Sequence, residues 1–302
     1  MVGQAHVSMQ DLLDIRTRLK VWKDLPAHNL FEHFAGQQES PQRGRGLDFE
    51  ELRHYRQGDD IRRIDWRVSQ RRGSPHVRVY SEESDHMTMV LLDQRMGMFF
   101  GSRYDTKSSA AAKIAALIGW RDVQCGDRFG LSVFSDEERL WLQPSRRQSH
   151  LLQCMQAIVD FNQRLRADLP KPAKPIAFRE HLQMAISAAK AAQRIVIISD
   201  LAGWCDKCPG LLRLLKQRQE VLIVLASDPM ERDFSLAKDH LVGDDLYQLH
   251  VESQHIEAIQ QSQQKHWPRL FDSLGIATVS LDAGRDAVED VLRYFARLRY
   301  GH

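Results

Sequence analysis

The sequence predicts an α/β protein built on a doubly wound, mostly parallel sheet. Two observations carry this prediction. Apolar runs of strand length alternate with segments of helical length from residue 76 to about residue 300, and three of those runs (MVLLD, VIISD and IVLASD) end in an aspartate, Asp93, Asp200 and Asp228. Strands separated by helices of 10 to 20 residues imply parallel pairing with crossover helices. A chain of 302 residues buries roughly 75% of the surface its unfolded state exposes, so one or two domains fold without disulfide or metal staples.

Taken in order, residues 8 to 38 place Leu12, Ile15, Leu19 and Trp22 at helical spacing and break near Pro26 and in GQQESPQ, a helical lead-in. From Arg43 to Arg78 the large apolar residues are scattered and nothing has the period of a long helix. HVRVYSEE alternates and reads as a half-exposed strand, whereas MTMVLLD is continuously apolar, as for a strand covered on both faces. Residues 106 to 123 read as a helix, RFGLSVFS and RLWLQP as strands, and 146 to 165 as a helix. After LPKPAKP come a helix at about 178 to 193, the strand RIVIISD, a helix at 209 to 219 and the strand VLIVLASD. A weaker strand near LYQLHV, a helix at 255 to 273, the strand IATVSLD and a helix at 286 to 299 close the pattern. The expected organisation is a helical lead-in over 1–42, an Arg-rich segment over 43–85 and an α/β domain over 86–302.

Composition excludes several classes. The net charge of +2, from 42 Lys plus Arg against 40 Asp plus Glu, gives no long-range field that by itself draws in nucleic acid or an anionic membrane. Four cysteines and an opening MVGQAHVSMQDLL without the basic start and apolar core of a signal peptide point to a reducing compartment, hence a cytoplasmic location. The longest apolar runs are far short of the ~18 residues of a spanning helix, so no direct membrane insertion is expected.

Three places could carry chemistry. Carboxylates at the ends of parallel strands converge on the crevice where such sheets bind ligands, and an acidic cluster there suits magnesium; the bland alternative is that each aspartate caps the next helix or shapes a turn. Between Arg43 and Arg78 lie ten arginines, no lysine and six interleaved acids. Exclusive use of arginine favours bidentate pairing with carboxylates in an internal network or a protein interface over nucleic-acid binding. Trp66, beside Arg62, Arg63 and Arg67, is an interface anchor or a core residue, with the inward position expected for Asp65 and Trp66. The segment WCDKC places Cys205 and Cys208 between a strand and a helix, as in thioredoxin-like motifs. It could also be a zinc half-site, although no second CxxC or spaced His pair is near, or simply two thiols at a helix start. No GxSxG, Walker A or GxGxxG occurs, and the 13 His are scattered, with His181 on an amphipathic helix reading as structural.

The run GRGLDFEELRHYRQGDDIRRIDWRVSQRRGSPHVRVYSEE, followed by an apolar strand ending in Asp, resembles the domain-of-unknown-function 58 family. Phe49, Glu51, Leu52, Arg53, Tyr55, Gly58, Asp59, Arg62, Ile64, Asp65 and Trp66 stand in the order of that family's signature. The resemblance covers nearly the whole chain and is strongest from 44 to 93. It implies a von Willebrand factor A-like (Rossmann-like) domain preceded by the Arg-rich subdomain, in a short soluble form lacking the membrane helices of many relatives. It further implies a non-enzymatic adaptor for a MoxR-type AAA+ ATPase in chaperone-like maturation or assembly of complexes, with membrane-anchored von Willebrand factor A-domain proteins as further partners. Arg53, Tyr55, Asp59, Arg62, Asp65 and Trp66 would hold or present the signature segment. The fold's metal-ion-dependent adhesion site would begin DxSxS at Asp93; here it reads DQRMG, with Arg95 and Gly97 at the serine positions. The site's Thr is expected just before Leu182, where Ala177 and Phe178 stand, and its later acid is Asp200. The expectation is therefore a degenerate site without cofactor, magnesium being the one candidate ion, in which the Arg95 guanidinium neutralises both Asp93 and Asp200.

Overall fold

A computed structural model describes residues 5–21, 47–55, 64–82, 86–166, 168, 176–188, 192–232, 241–244, 247–250 and 267–300. Two compact units are present, one formed by Met1–Gln38 with His86–His302 and the other by Glu39–Asp85.

In the larger unit, α1 (Met9–Val21) is the lead-in helix; residues 22–38 of the expected lead-in lie outside the described residues. The chain then runs β3 (Met87–Asp93), α3 (Lys107–Gln124), β4 (Arg128–Phe134), β5 (Arg139–Ser145), α4 (Gln148–Gln163), α5 (Phe178–Ala188) and β6 (Arg194–Ser199). It continues through α6 (Cys208–Lys216), β7 (Glu220–Ser227), α7 (Pro229–Arg232), β8 (Leu241–Asp244), β9 (Tyr247–His250), α8 (Trp267–Ser273), β10 (Ala277–Asp282) and α9 (Ala287–Tyr300). The smaller unit holds β1 (Leu47–His54), α2 (Trp66–Arg72) and β2 (His76–Glu82).

Six strands form one sheet in the order β10-β7-β6-β3-β4-β5, parallel throughout except for the antiparallel edge strand β5. The period-2 alternation of strand side chains sorts the core into two layers. Val90, Leu92, Val196, Ile198, Leu222 and Val224 face α1, α3, α4 and α9. Their neighbours Met89, Leu91, Ile195, Ile197, Val221 and Ile223 face α5, α6 and α8. This is why these strands read as continuous apolar runs. Close approach of α3 to α4 requires a glycine: a Cβ at Gly119 would lie 2.5 Å from Leu151 Cδ1 and 3.2 Å from Phe129 Cζ.

Winding reverses at β3. The chain leaves it through α3 to β4 on one side, and later builds β6, β7 and β10 on the other, so the carboxyl ends of β3 and β6 flank the topological switch point where open α/β sheets place ligands.

Three expected elements gain a partner or a boundary in the structure. The strand near LYQLHV is β9, paired antiparallel with β8 in a separate two-stranded sheet. HVRVYSEE is β2, paired antiparallel with β1, a strand whose sequence pattern is broken by a bulge between Phe49 and Glu51. One inserted residue shifts the period-2 pattern, so the apolar Phe49 and Leu52 fall three apart. Of the helix expected at 255 to 273, the described part is Trp267–Ser273; residues 255–266 lie outside the described residues.

Candidate functional site

Asp93 ends β3 fully buried, and its carboxylate is satisfied on every side. Arg95 folds back from two residues on, donating Nε to Asp93 Oδ1 at 2.9 Å and Nη2 to Oδ2 at 2.6 Å, while its backbone N–H donates to Oδ1 at 3.0 Å. Ser199 Oγ, at the end of the adjacent β6, adds a 2.6 Å bond to Oδ2. The guanidinium also donates to the Ala202 carbonyl at 2.9 Å and lies 5.3 Å from the Phe178 ring and 5.8 Å from the Phe134 ring. Burial opposes its charge, but the Asp93 carboxylate outweighs that and holds the guanidinium above its ordinary pKa. Phe178, found where the adhesion site would have its Thr, is thus one wall of an arginine slot.

Asp200 follows β6 and accepts from Lys107 Nζ at 2.7 Å through Oδ2 and from the Ala202 N–H at 2.9 Å through Oδ1. Lys107 opens α3, is 3% exposed, and donates also to Glu231 Oε1 at 2.6 Å. Burial alone would raise the Asp200 pKa and lower that of Lys107; their mutual attraction outweighs it, holding the carboxyl below and the ammonium above their ordinary values. The structure therefore corrects the expectation for Arg95. Its direct ion pair is with Asp93, because its side chain is turned back along its own strand end, and Lys107 holds Asp200.

The third strand-end acid does not join this cluster. Asp228 is fully buried and accepts from the Ser102 hydroxyl at 2.5 Å, the Ser102 N–H at 2.9 Å and the Met230 N–H at 2.8 Å, so it ties a loop to the start of α7, as the capping alternative has it. Gly97 lies beside the crevice, with its Cβ position 3.8 Å from Asp200 Oδ2. His181 is buried and stacks on Phe134 at 3.8 Å.

A divalent cation does not fit these residues. The oxygens it would need on Asp93 and Asp200 already accept from one guanidinium, one ammonium, a hydroxyl and backbone N–H groups. A dication placed among them would face Arg95 and Lys107 at short range.

A family model described as "Protein of unknown function DUF58" matches residues 51–250. The chain belongs to the DUF58 family. Uncharacterized proteins of Mycobacterium bovis and Mycobacterium tuberculosis are each 26% identical over 274 residues, covering 85% of this chain and 81% of theirs. Among solved structures, the SpRpn10 VWA domain is similar at 15% identity and a TM-score of 0.40, covering 70% of this chain and 95% of that one. The conserved hypothetical protein BatB from Bacteroides thetaiotaomicron gives 12%, 0.39, 70% and 99%. The sheet order and its antiparallel edge give this DUF58 chain an α/β fold on a mostly parallel sheet, the class its sequence predicts.

Of the DUF58 signature residues, Asp59 and Arg62 lie outside the described residues, as does the side chain of Arg53, whose backbone pairs with Val77 on β2. The half-buried Tyr55 donates its N–H to the Pro75 carbonyl at 2.9 Å. Asp65 caps α2, accepting from the Arg67 and Val68 N–H groups at 3.1 and 3.2 Å. Trp66 is 63% exposed, against the inward expectation, because it is the first residue of that short helix, where Ser69 rather than the indole takes the buried face.

Lys107, Ser199 and Glu231 are the site residues that sequence reasoning missed. A signal for Lys107 was present: a cation at a helix N-terminus opposes the macrodipole, so a lysine opening KSSAAAKIAALIG needs a carboxylate partner.

Proposed function

We propose that this protein is a non-enzymatic, metal-independent protein-interaction module, an adaptor that works with a MoxR-type AAA+ ATPase in chaperone-like maturation or assembly of protein complexes. The observation that carries the reading is Trp66. A large aromatic side chain stands 63% exposed at the head of α2, with Arg67 and Arg71 exposed beside it. Tryptophan and arginine dominate the binding energy of protein interfaces, and an aromatic flanked by guanidinium groups suits an apolar pocket rimmed by carboxylates. Metal independence is supported by the pairing of Asp93 with Arg95 and of Asp200 with Lys107.

Affinity capture of the tagged protein from its native cells, with and without ATP and magnesium, tests this. A MoxR-type ATPase should be recovered in nucleotide-dependent amounts. Trp66→Ala should weaken that capture by about 2 kcal/mol or more, roughly 30-fold, while leaving the thermal midpoint unchanged. Purified protein should show no thermal shift with millimolar magnesium or manganese. Recovery of nucleic acid with steep salt dependence and no ATPase, or a magnesium shift lost in Asp93→Ala, would overturn the reading.

A further inference from the structure

The loop leaving β6 carries a second constellation that the adaptor reading does not use. Leu201 adopts a left-handed backbone with φ 59°, and Gly203 follows at φ 78°. Between them the Ala202 carbonyl accepts from Arg95, and a Cβ at Gly203 would lie 3.3 Å from Arg95 Nη1, so the loop is wedged against the guanidinium. Trp204 then stands edge-on to Phe271 at 5.7 Å, fixing the approach to α6. Cys205 and Cys208 come next, at the start of that helix.

Their sulfurs are 3.5 Å apart, and the Cys205 N–H points at Cys208 Sγ, also at 3.5 Å. The Cys208 N–H donates to the Cys205 carbonyl at 2.9 Å, which closes the turn that holds the two thiols together. Cys205 is partly exposed, whereas Cys208 is fully buried. This asymmetry of one accessible and one protected thiol, three residues apart at a helix start, is what stepwise thiol–disulfide exchange requires. Protonation follows the same division. Burial would raise the Cys205 thiol, but the Lys207 N–H and the Cys208 thiol outweigh it and hold Cys205 below the ordinary value, while burial pushes Cys208 up to about 11. The exposed Cys125 is shifted the other way, upward, by burial of its sulfur and neighbouring acids.

We propose that Cys205 and Cys208 are a thiol–disulfide exchange site for low-molecular-weight disulfides of the glutathione type. The Cys205 thiolate attacks one sulfur of the disulfide, the S–S bond breaks, and one glutathione thiolate leaves and takes up a proton. Cys208 then loses its proton and attacks Cys205 Sγ, releasing the second glutathione, which is protonated in turn. Two electrons pass from the protein dithiol to the small disulfide, yielding one intramolecular disulfide and two glutathione thiols. Closing the bond draws sulfurs from 3.5 Å to about 2.05 Å and pulls on the loop that supplies the Ala202 carbonyl to Arg95.

The experiment equilibrates the reduced, full-length protein in glutathione buffers of graded potential, quenches with acid, labels free thiols with a maleimide and maps the peptides by mass. Cys205 and Cys208 should lose their labels together, as one disulfide-linked species that dithiothreitol reverses. Cys208→Ser should trap a glutathione adduct on Cys205, and Cys205→Ser should leave Cys208 unmodified. Because the Cys208 variant could fail to fold, the native protein gives a second readout: Cys205 should alkylate faster than Cys125 at neutral pH. Full labelling of both cysteines in oxidised glutathione, a persistent Cys205 adduct in the native protein, or slower alkylation of Cys205 than Cys125 would each overturn the proposal. None of these outcomes depends on ATPase capture, so this proposal and the adaptor reading fail separately.

Discussion

Arg95 gives Nε and Nη2 to the Asp93 carboxylate and Nη2 also to the Ala202 carbonyl, with the Phe134 and Phe178 rings 5.8 and 5.3 Å away, so it joins both strand ends of the crevice to the loop after β6. Removing one member of a buried pair strands the other charge. Arg95→Met keeps the apolar stem between Phe134 and Phe178 but leaves Asp93 held by Ser199 and a backbone N–H. It should cost about 3 kcal/mol in urea unfolding, and Asp93→Asn in the same chain should restore much of the loss. His181 makes the pH dependence specific. Burial first, then the Arg95 and Arg139 charges, lower its pKa from 6.5 to about 3, and its Nε2 is buried without a hydrogen-bond partner. Below pH 6.5 the unfolded chain takes up a proton that the folded chain refuses until about pH 3, so stability falls across that window as pH falls. Unfolding measured at pH 7 and pH 5 should show His181→Phe losing less stability than the native protein, by up to about 2 kcal/mol. Asp200 acts in the same direction but at lower pH: its depressed pKa means its contribution is intact at pH 5 and is lost only as pH falls below the ordinary carboxylate value.

At the scale of elements, α1 is an integral layer of the larger unit. Leu12, Ile15 and Leu19 recur at helical spacing and are buried, and Trp120 on α3 donates its indole N–H to the Leu12 carbonyl at 2.9 Å. The segment before α1 is tied equally firmly. The Val7 N–H donates to Asn162 Oδ1 at 2.8 Å, Asn162 Nδ2 donates to Gln94 Oε1 at 3.0 Å, and Gln94 is the residue after Asp93. A polar chain thus runs from the start of the described protein to the crevice. Leu12→Ala should destabilise by roughly 2–5 kcal/mol, as for other buried leucines whose neighbours cannot close the gap, and a thermal melt would register it directly. The helical period of α1 was legible in the sequence, but not that the helix covers α3.

For the whole molecule, every buried residue assigned to the two apolar layers, among the described residues, belongs to the larger unit. Replacing residues 39–85 with a flexible Gly/Ser linker should leave a folded protein with one cooperative thermal transition, checked by circular dichroism. Loss of that transition would show that the smaller unit is needed to complete the core. No helix among the described residues is long and apolar enough to cross a membrane.

The sequence by itself determined the sheet, its mostly parallel character and the two crevice aspartates, because strands buried on both faces must be continuously apolar and strand ends at a switch point must be polar. The signature run likewise sufficed for the family. Only tertiary structure decided how the charges pair. Arg95 lies two residues from Asp93 and could have reached either acid, whereas Lys107 meets Asp200 and Glu231 across 93 and 124 residues of chain. It also decided that Trp66 faces solvent and that Cys205 and Cys208 differ in exposure. Local periodicity records which face of an element is apolar; which charge meets which, and which thiol is covered, depends on neighbours brought together only by the fold.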